Sequence, residues 1–283
     1  MKSKIFQYID TFSDLIRPVN LLITALSVWI GGILAAGEKV MLDGTLLSAA
    51  LAAAIVAAGG NAINDAYDED IDQLNRPHRP IPSGRLDYVD AMKLGGGLCL
   101  FGIAFSYLLS PKLGLIALLV SLLLWVYSIS LKRTILLGNF TIGLCGGLAF
   151  IFGALAVGNP IGGMYPALFA LLIHIGREIV KDIEDVSGDR ICGAMTLPVV
   201  AGSRHAQRVA AFMLLLLGFV TFIPYWTGEY SRNYLNTVLV LVDLPLLVIV
   251  LFLLGGMEHK GLRRASFALK IIMVGGLVAL YVG

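Results

Sequence analysis

The sequence predicts an all-α polytopic membrane protein: nine transmembrane helices with an N-terminal interfacial helix. Three observations predict it. Of 283 residues, 58% are hydrophobic and 14% charged, and the mean hydropathy is +0.85, too little polar surface to cover a soluble globule of this size. Apolar runs recur along the whole chain, each near the roughly 20 helical residues that cross a hydrocarbon core of about 30 Å. The Lys and Arg residues collect almost entirely on one side of the predicted topology, 18 against 3, as the positive-inside rule requires.

The first 16 residues, with "KSKIFQYIDTFSDLI", are amphipathic and mixed in charge, unlike a cleavable signal peptide with a basic start and a continuous apolar centre. They read as a helix lying in the interface. Spans are expected near Pro18–Ala36, Leu46–Asn64, Val89–Leu109, Leu113–Leu131, Ile135–Val157, Gly163–Ile183, Ala206–Trp226, Tyr234–Leu254 and Leu262–Val282. If the N-terminus and the loops after the even spans share one side, that side holds 18 of the 21 Lys and Arg residues, from Lys2 and Lys4 to Lys270. Lys39, Lys112 and Arg232 are left on the other. The sequence therefore predicts an integral protein of the cell membrane with a cytoplasmic N-terminus and a C-terminus opposite. Residues 1–283 read as one domain whose active-site loops, about 65–88 and 183–205, are cytoplasmic. A formal net charge of +2 points to no nucleic-acid partner. Cys99 and Cys145 sit in apolar spans and Cys192 in a loop, with no CxxC or Cys/His cluster, so neither disulfides nor zinc are expected.

Two short stretches carry the chemistry. "DAYDEDID" is Asp65-x-x-Asp68-x-x-x-Asp72, and 117 residues later "DIEDVSGD" repeats the spacing as Asp182, Asp185 and Asp189, again at a cytoplasmic span end. At about 100° per residue such a triplet covers an arc of about 60° on a continuous helix. Asn64 joins the first stripe. Facing stripes would crowd six carboxylates into one small volume, which repulsion forbids unless cations intervene. Mg²⁺ is the expected cation, because it takes oxygen ligands and binds through one or two carboxylates together with substrate phosphates. The bases agree with a phosphorylated substrate. Arg76 and Arg79 follow the first stripe, Lys181 lies within the second, and Lys132 with Arg133 ends the fourth span. A solvated loop would explain any one of these residues; it does not explain two copies of one spacing on one side of the membrane.

"NDAYDEDIDQLNRPHRPIPSG" followed by "KDIEDVSGD" resembles the paired aspartate motifs of the UbiA superfamily of intramembrane prenyltransferases, and the similarity runs from "RPVN" (Arg17–Asn20) to "TLPVVAG" (Thr196–Gly202). The last three spans match in number and hydrophobicity. The resemblance implies a prenyl diphosphate donor and assigns Asn64, Asp68, Asp72, Asp182, Asp185 and Asp189 to Mg²⁺ and diphosphate, with Asp68 and Asp185 central to catalysis. It places Arg17, Asn20, Arg76, Arg79, Lys132 and Lys181 on substrate. "YSISLKR" resembles the superfamily's Tyr and Lys pair, although Tyr127 precedes Lys132 by five residues where four is common. Lys132 is expected on phosphate, Tyr127 against the allylic cation, and Arg133 toward water or lipid headgroups. The spans rich in Ala and Gly, "LLSAALAAAIVAAGGNAIN" and "LGGGLCLFGIAF", suit close helix packing or leave room for a prenyl tail.

"DQLNRPHRPIPSGR" and "GREIVKDIEDVSGDRICGAMTLP" look most like the archaeal branch that makes the second ether bond of membrane lipids. That implies geranylgeranyl transfer from its diphosphate to the free hydroxyl of a lipid-like acceptor, geranylgeranylglyceryl phosphate. Chlorophyll synthases share a similar Arg-Pro-Ile-Pro-Ser-Gly run and aromatic-acceptor enzymes share both aspartate motifs, so those acceptors stand as alternatives. A cation transporter is the alternative from another class; its best support is Asp243, read as the one acid within the span cores and lying beside Pro245.

Overall fold

Amphipathic residues at the start of the chain form α1 (Lys4–Ile16). The computed structural model describes residues 4–283, with side chains from Tyr8 onward. Lys2 and the Lys4 side chain, both counted for topology, lie outside the described residues. Thr11 and Leu15 pack inward on α1 while Tyr8, Ile9 and Phe12 stay exposed, as an interfacial helix requires. Arg17 then adopts φ 58°, and Pro18 opens α2 (Pro18–Ala36), where the missing N–H of proline costs nothing.

The remaining elements are α3 (Gly44–Tyr67), α4 (Glu69–Asn75), α5 (Tyr88–Leu109), α6 (Pro111–Ile129), α7 (Leu137–Ala156), α8 (Met164–Ile191), α9 (Leu197–Ala201), α10 (Ser203–Val220), α11 (Ile223–Trp226), α12 (Arg232–Val238), α13 (Leu244–Gly255) and α14 (His259–Tyr281). Among the described residues there is no strand, and nine helical segments are long and apolar enough to cross a membrane. The predicted spans match these segments, with ends shifted by a few residues. The eighth is a composite: one π-helical turn, Leu239–Asp243, joins α12 to α13 just before Pro245. Proline cannot donate to the preceding turn, and the wider turn absorbs the lost bond.

α8 departs most from expectation. The sequence places its end near Ile183, but the helix runs 28 residues to Ile191, about 42 Å against a hydrocarbon core of about 30 Å. The first nine residues of the stretch expected as a loop, 183–205, therefore continue α8.

Helix α2 packs on α3, α7 and α14, and α8 packs on α7, α10 and α14, which closes the helices round on themselves. Backbones meet where glycines allow it. A Cβ on Gly153 of α7 would overlap the Val28 carbonyl of α2, and one on Gly31 would overlap the Phe150 carbonyl. The Ala- and Gly-rich spans pack closely, and one of them, α3, also lines a cavity. Gly59 and Gly95 seat α3 on α5, while Ala53, Ala57 and Gly60 face an internal cavity.

Candidate active site

The cavity has a volume of about 580 Å³. Helices α2, α3, α4, α6, α7, α8, α10, α12 and α14 line it; α5 and α13 supply no lining residue. One end is charged. The other is closed by Leu217, Thr221, Tyr234 and Leu280, with the Tyr234 hydroxyl donating to the Thr221 carbonyl at 2.8 Å. Along α8 the lining runs from Asp182 to Pro166, sixteen residues or about 24 Å at 1.5 Å per residue.

Backbone breaks deliver the charged residues. α3 ends at Tyr67, Asp68 leaves helical geometry (φ −91°, ψ 2°), and α4 begins at Glu69. The first acidic stripe is therefore not one helix face, unlike the second, which stays on unbroken α8. Asp65, on α3 before the break, is absent from the cavity lining. It is 2% exposed and pairs with Arg17 and Arg79. Left-handed backbone at a non-glycine residue is strained, and here it sets Arg17 against that buried acid. Asn64, Asp68, Asp72, Asp182, Asp185 and Asp189 all line the cavity, as do Arg17, Asn20, Arg76, Arg79, Tyr127, Lys132 and Lys181. Tyr127 thus faces inward despite its spacing from Lys132. Arg133, expected to point outward, also lines the cavity, with Nε buried and unpartnered. The three-residue 3₁₀ turn Leu131–Arg133 carries both bases inward together.

The six carboxylates are not drawn to one point. Among the described residues no three acidic, His or Cys side chains share a metal-holding arrangement, because each acid has a partner of its own. Lys132 pairs with Asp68, which also accepts from Asn64 Nδ2 at 2.5 Å. Arg76 Nη2 donates to both oxygens of Asp185, at 2.9 and 2.8 Å, and Nη1 lies 3.8 Å from Asp72. Arg76 thereby ties the two motifs together. Arg79 pairs with Asp72, Asn139 Nδ2 donates to Asp182 at 2.7 Å, and Thr196 donates to Asp189 at 3.1 Å. Burial pushes the Asp72 carboxyl up to about 6, against the pull of Arg79 and with Asp68 adding to the rise. Asp72 Oδ1 is buried and accepts no hydrogen bond. An all-oxygen set with an orphaned carboxylate oxygen fits a hard divalent cation.

Asn139, Thr196, Arg177, Glu178 and Lys270 escape a reading based on motifs. Lys270 had a signal of its own, an ionisable residue inside an apolar span. Glu178 corrects the statement that Asp243 is the one acid within the spans; it is 7% exposed and neutralised by Arg177 and Lys181. Asp243 itself lies outside this cavity and accepts from Thr221 Oγ1 at 3.1 Å, an interhelical hydrogen bond. Cys99, Cys145 and Cys192 are free thiols.

The chain matches the UbiA prenyltransferase family over residues 22–271. It is 37% identical over 268 residues to a digeranylgeranylglyceryl phosphate synthase of Methanopyrus kandleri, covering 95% of this chain and 97% of that protein. A solved structure described as digeranylgeranylglyceryl phosphate synthase in membranes is 32% identical, with a TM-score of 0.76 over 97% of this chain and 98% of the other. A UbiA homolog from Archaeoglobus fulgidus bound to GPP and Mg²⁺ has a TM-score of 0.67 at 18% identity, over 96% of this chain and 99% of its own. Similarity therefore extends through the last three spans as well. With nine membrane-length helices, paired acidic motifs opening one cavity, and a family match over most of its length, the chain belongs to the UbiA prenyltransferase family of intramembrane prenyltransferases.

Proposed function

We propose that this prenyltransferase moves a geranylgeranyl group from geranylgeranyl diphosphate to the free hydroxyl of geranylgeranylglyceryl phosphate, in a cell membrane, with Mg²⁺ as its cation. The 283 residues act as one domain, and the basic loops that frame the charged end face the cytoplasm. The observation that carries the reading is the cavity, which runs from a charged mouth to an apolar end and extends about 24 Å along α8 from Asp182 to Pro166. That depth suits a long isoprenoid. The 37% identity to a synthase of that name supports the same acceptor.

The ionising allylic C–O bond leaves its electron pair on the diphosphate. The acceptor hydroxyl oxygen then bonds to the prenyl carbon, and its proton leaves to the departing diphosphate. Asn64, Asp68, Asp72, Asp182, Asp185 and Asp189 would hold divalent cations, which supply charge neutralisation to the leaving group. Arg76, Arg79 and Lys132 release their carboxylates to take phosphate oxygens, concentrating positive charge where negative charge grows. Tyr127 turns its ring toward the allylic carbon, and its π-face stabilises the cation. The apolar end excludes water, so that the acceptor captures the cation before water does.

Purified protein incubated with a panel of prenyl diphosphates and acceptors tests the reading. Turnover is expected with geranylgeranyl diphosphate and geranylgeranylglyceryl phosphate, to be lost in EDTA and restored by Mg²⁺. Efficient prenylation of 4-hydroxybenzoate, homogentisate or chlorophyllide with the glyceryl phosphate left unreacted would overturn the acceptor and leave the family intact.

A further inference from the structure

Within the cavity the cations divide into two groups. Arg76, Arg79 and Lys132 each answer a carboxylate of the aspartate motifs. A second group comprises Arg177 and Lys181, one to two turns of α8 deeper than Asp185, and Lys270 on α14. Arg177 Nη1 donates to Glu178 at 2.9 Å and Lys181 Nζ to the same carboxylate at 2.5 Å. On α14, which packs against α8 and α2, Lys270 donates to Asn20 Oδ1 at 3.1 Å, its one hydrogen-bond partner among the described residues. Arg177 and Lys181 share one side of α8, four residues apart. All of these side chains line the cavity.

Three cations here share Glu178, and Asp182, the next acid along α8, is held by the neutral Asn139, so the corner keeps a net positive charge. The surplus sits in a span interior, where an uncompensated charge is expensive. Arg177 Nε is buried and unpartnered, and Lys270 has unused N–H donors. From this we infer that the corner formed by Arg177, Lys181, Lys270 and Asn20 is a subsite for a phosphate monoester on a lipid, separate from the carboxylate-lined diphosphate site. A monoester carries a charge of about −1.5 to −2 near neutral pH, opposite in sign to that surplus, and its terminal oxygens accept from the free donors. Arg263 and Ser266 continue the same face of α14 along the cavity wall. The assignment rests on the reaction proposed above and places the acceptor's headgroup: phosphate against α8 and α14, glyceryl hydroxyl toward the donor carbon. Specificity for a phosphorylated acceptor then comes from residues outside both aspartate motifs.

The test uses the full chain in nanodiscs. Lys270→Met is expected to raise KM for the glyceryl phosphate about 10- to 100-fold, as loss of one charge-assisted hydrogen bond does. KM for the donor should stay within about twofold, and Lys270→Arg should recover most of the loss by keeping the charge. Direct binding of radiolabelled hexadecyl phosphate should weaken by a similar factor in Lys270→Met and Lys181→Met, with hexadecanol unaffected. Hexadecyl phosphate bound equally by wild type and variants, or a donor KM that rises in parallel, overturns the subsite and leaves the reaction standing. Loss of hexadecyl phosphate binding in a protein that turns over only an aromatic acceptor overturns the reaction and leaves the subsite standing.

Discussion

Lys132 and Arg133 are adjacent in sequence and both line the cavity, but only Lys132 answers an acid of the aspartate motifs, Asp68. Lys132→Met should therefore cut kcat far more than Arg133→Met, whose side chain has no ion pair among those resolved at the site. Asp68→Asn and Asp185→Asn should each lower kcat/KM on the order of 10²-fold or more, the usual scale for losing charge stabilisation in a transition state. Steady-state rates with purified variants check all four. The outcome against this assignment would be small, equal effects at Lys132 and Arg133. Asp65 was legible as part of a repeat, yet its job differs from that of Asp182, because spacing reports position along the chain and not the neighbours a side chain meets: Asp65 is buried against Arg17 and Arg79, whereas Asp182 lines the cavity and accepts from Asn139.

Element lengths and apolar stripes were readable because hydrocarbon thickness imposes them. What periodicity could not report is where helices touch. Gly153 and Gly96 look alike in sequence, each inside an apolar span. In the structure a Cβ at Gly153 meets the α2 backbone, while one at Gly96 meets nothing within 4 Å. Gly153→Ala should therefore destabilise by about 1–3 kcal/mol, as overpacking does, whereas Gly96→Ala should be neutral or slightly stabilising. Unfolding midpoints in a common detergent distinguish them; equal shifts would mean that the contact between α2 and α7 is looser than described. The overrun of α8 past Ile183 was hidden for a related reason. Hydropathy falls where the helix leaves the membrane, though the backbone continues.

For the whole molecule, the cavity's depth should govern donor length. Ala170 lines the cavity twelve residues from Asp182, about 18 Å down α8, and is 9% exposed. Ala170→Phe should lower kcat/KM for geranylgeranyl diphosphate about tenfold or more while sparing geranyl diphosphate, which ends above it. Comparing the two donors measures this, and unchanged selectivity would show that the tail lies elsewhere. The paired motifs made the charged end of the cavity legible. Its α14 wall was not, since Lys270 belongs to no repeat and gains its meaning only when α14 closes against α2 and α8.

In the proposed reaction, the ion pairs at the mouth would also set how the donor is loaded. Asp68, Asp72 and Asp185 are already matched to Lys132, Arg79 and Arg76, so the site behaves as an ion exchanger rather than an open charge. A divalent cation arriving alone would win the carboxylates but strand three bases. A diphosphate arriving alone would win the bases but strand the acids. Arriving together, each redeems the partners that the other displaces, so the two ligands strengthen one another's binding by the same factor. The resting protein keeps its mouth electrically quiet until both halves of that cargo are present.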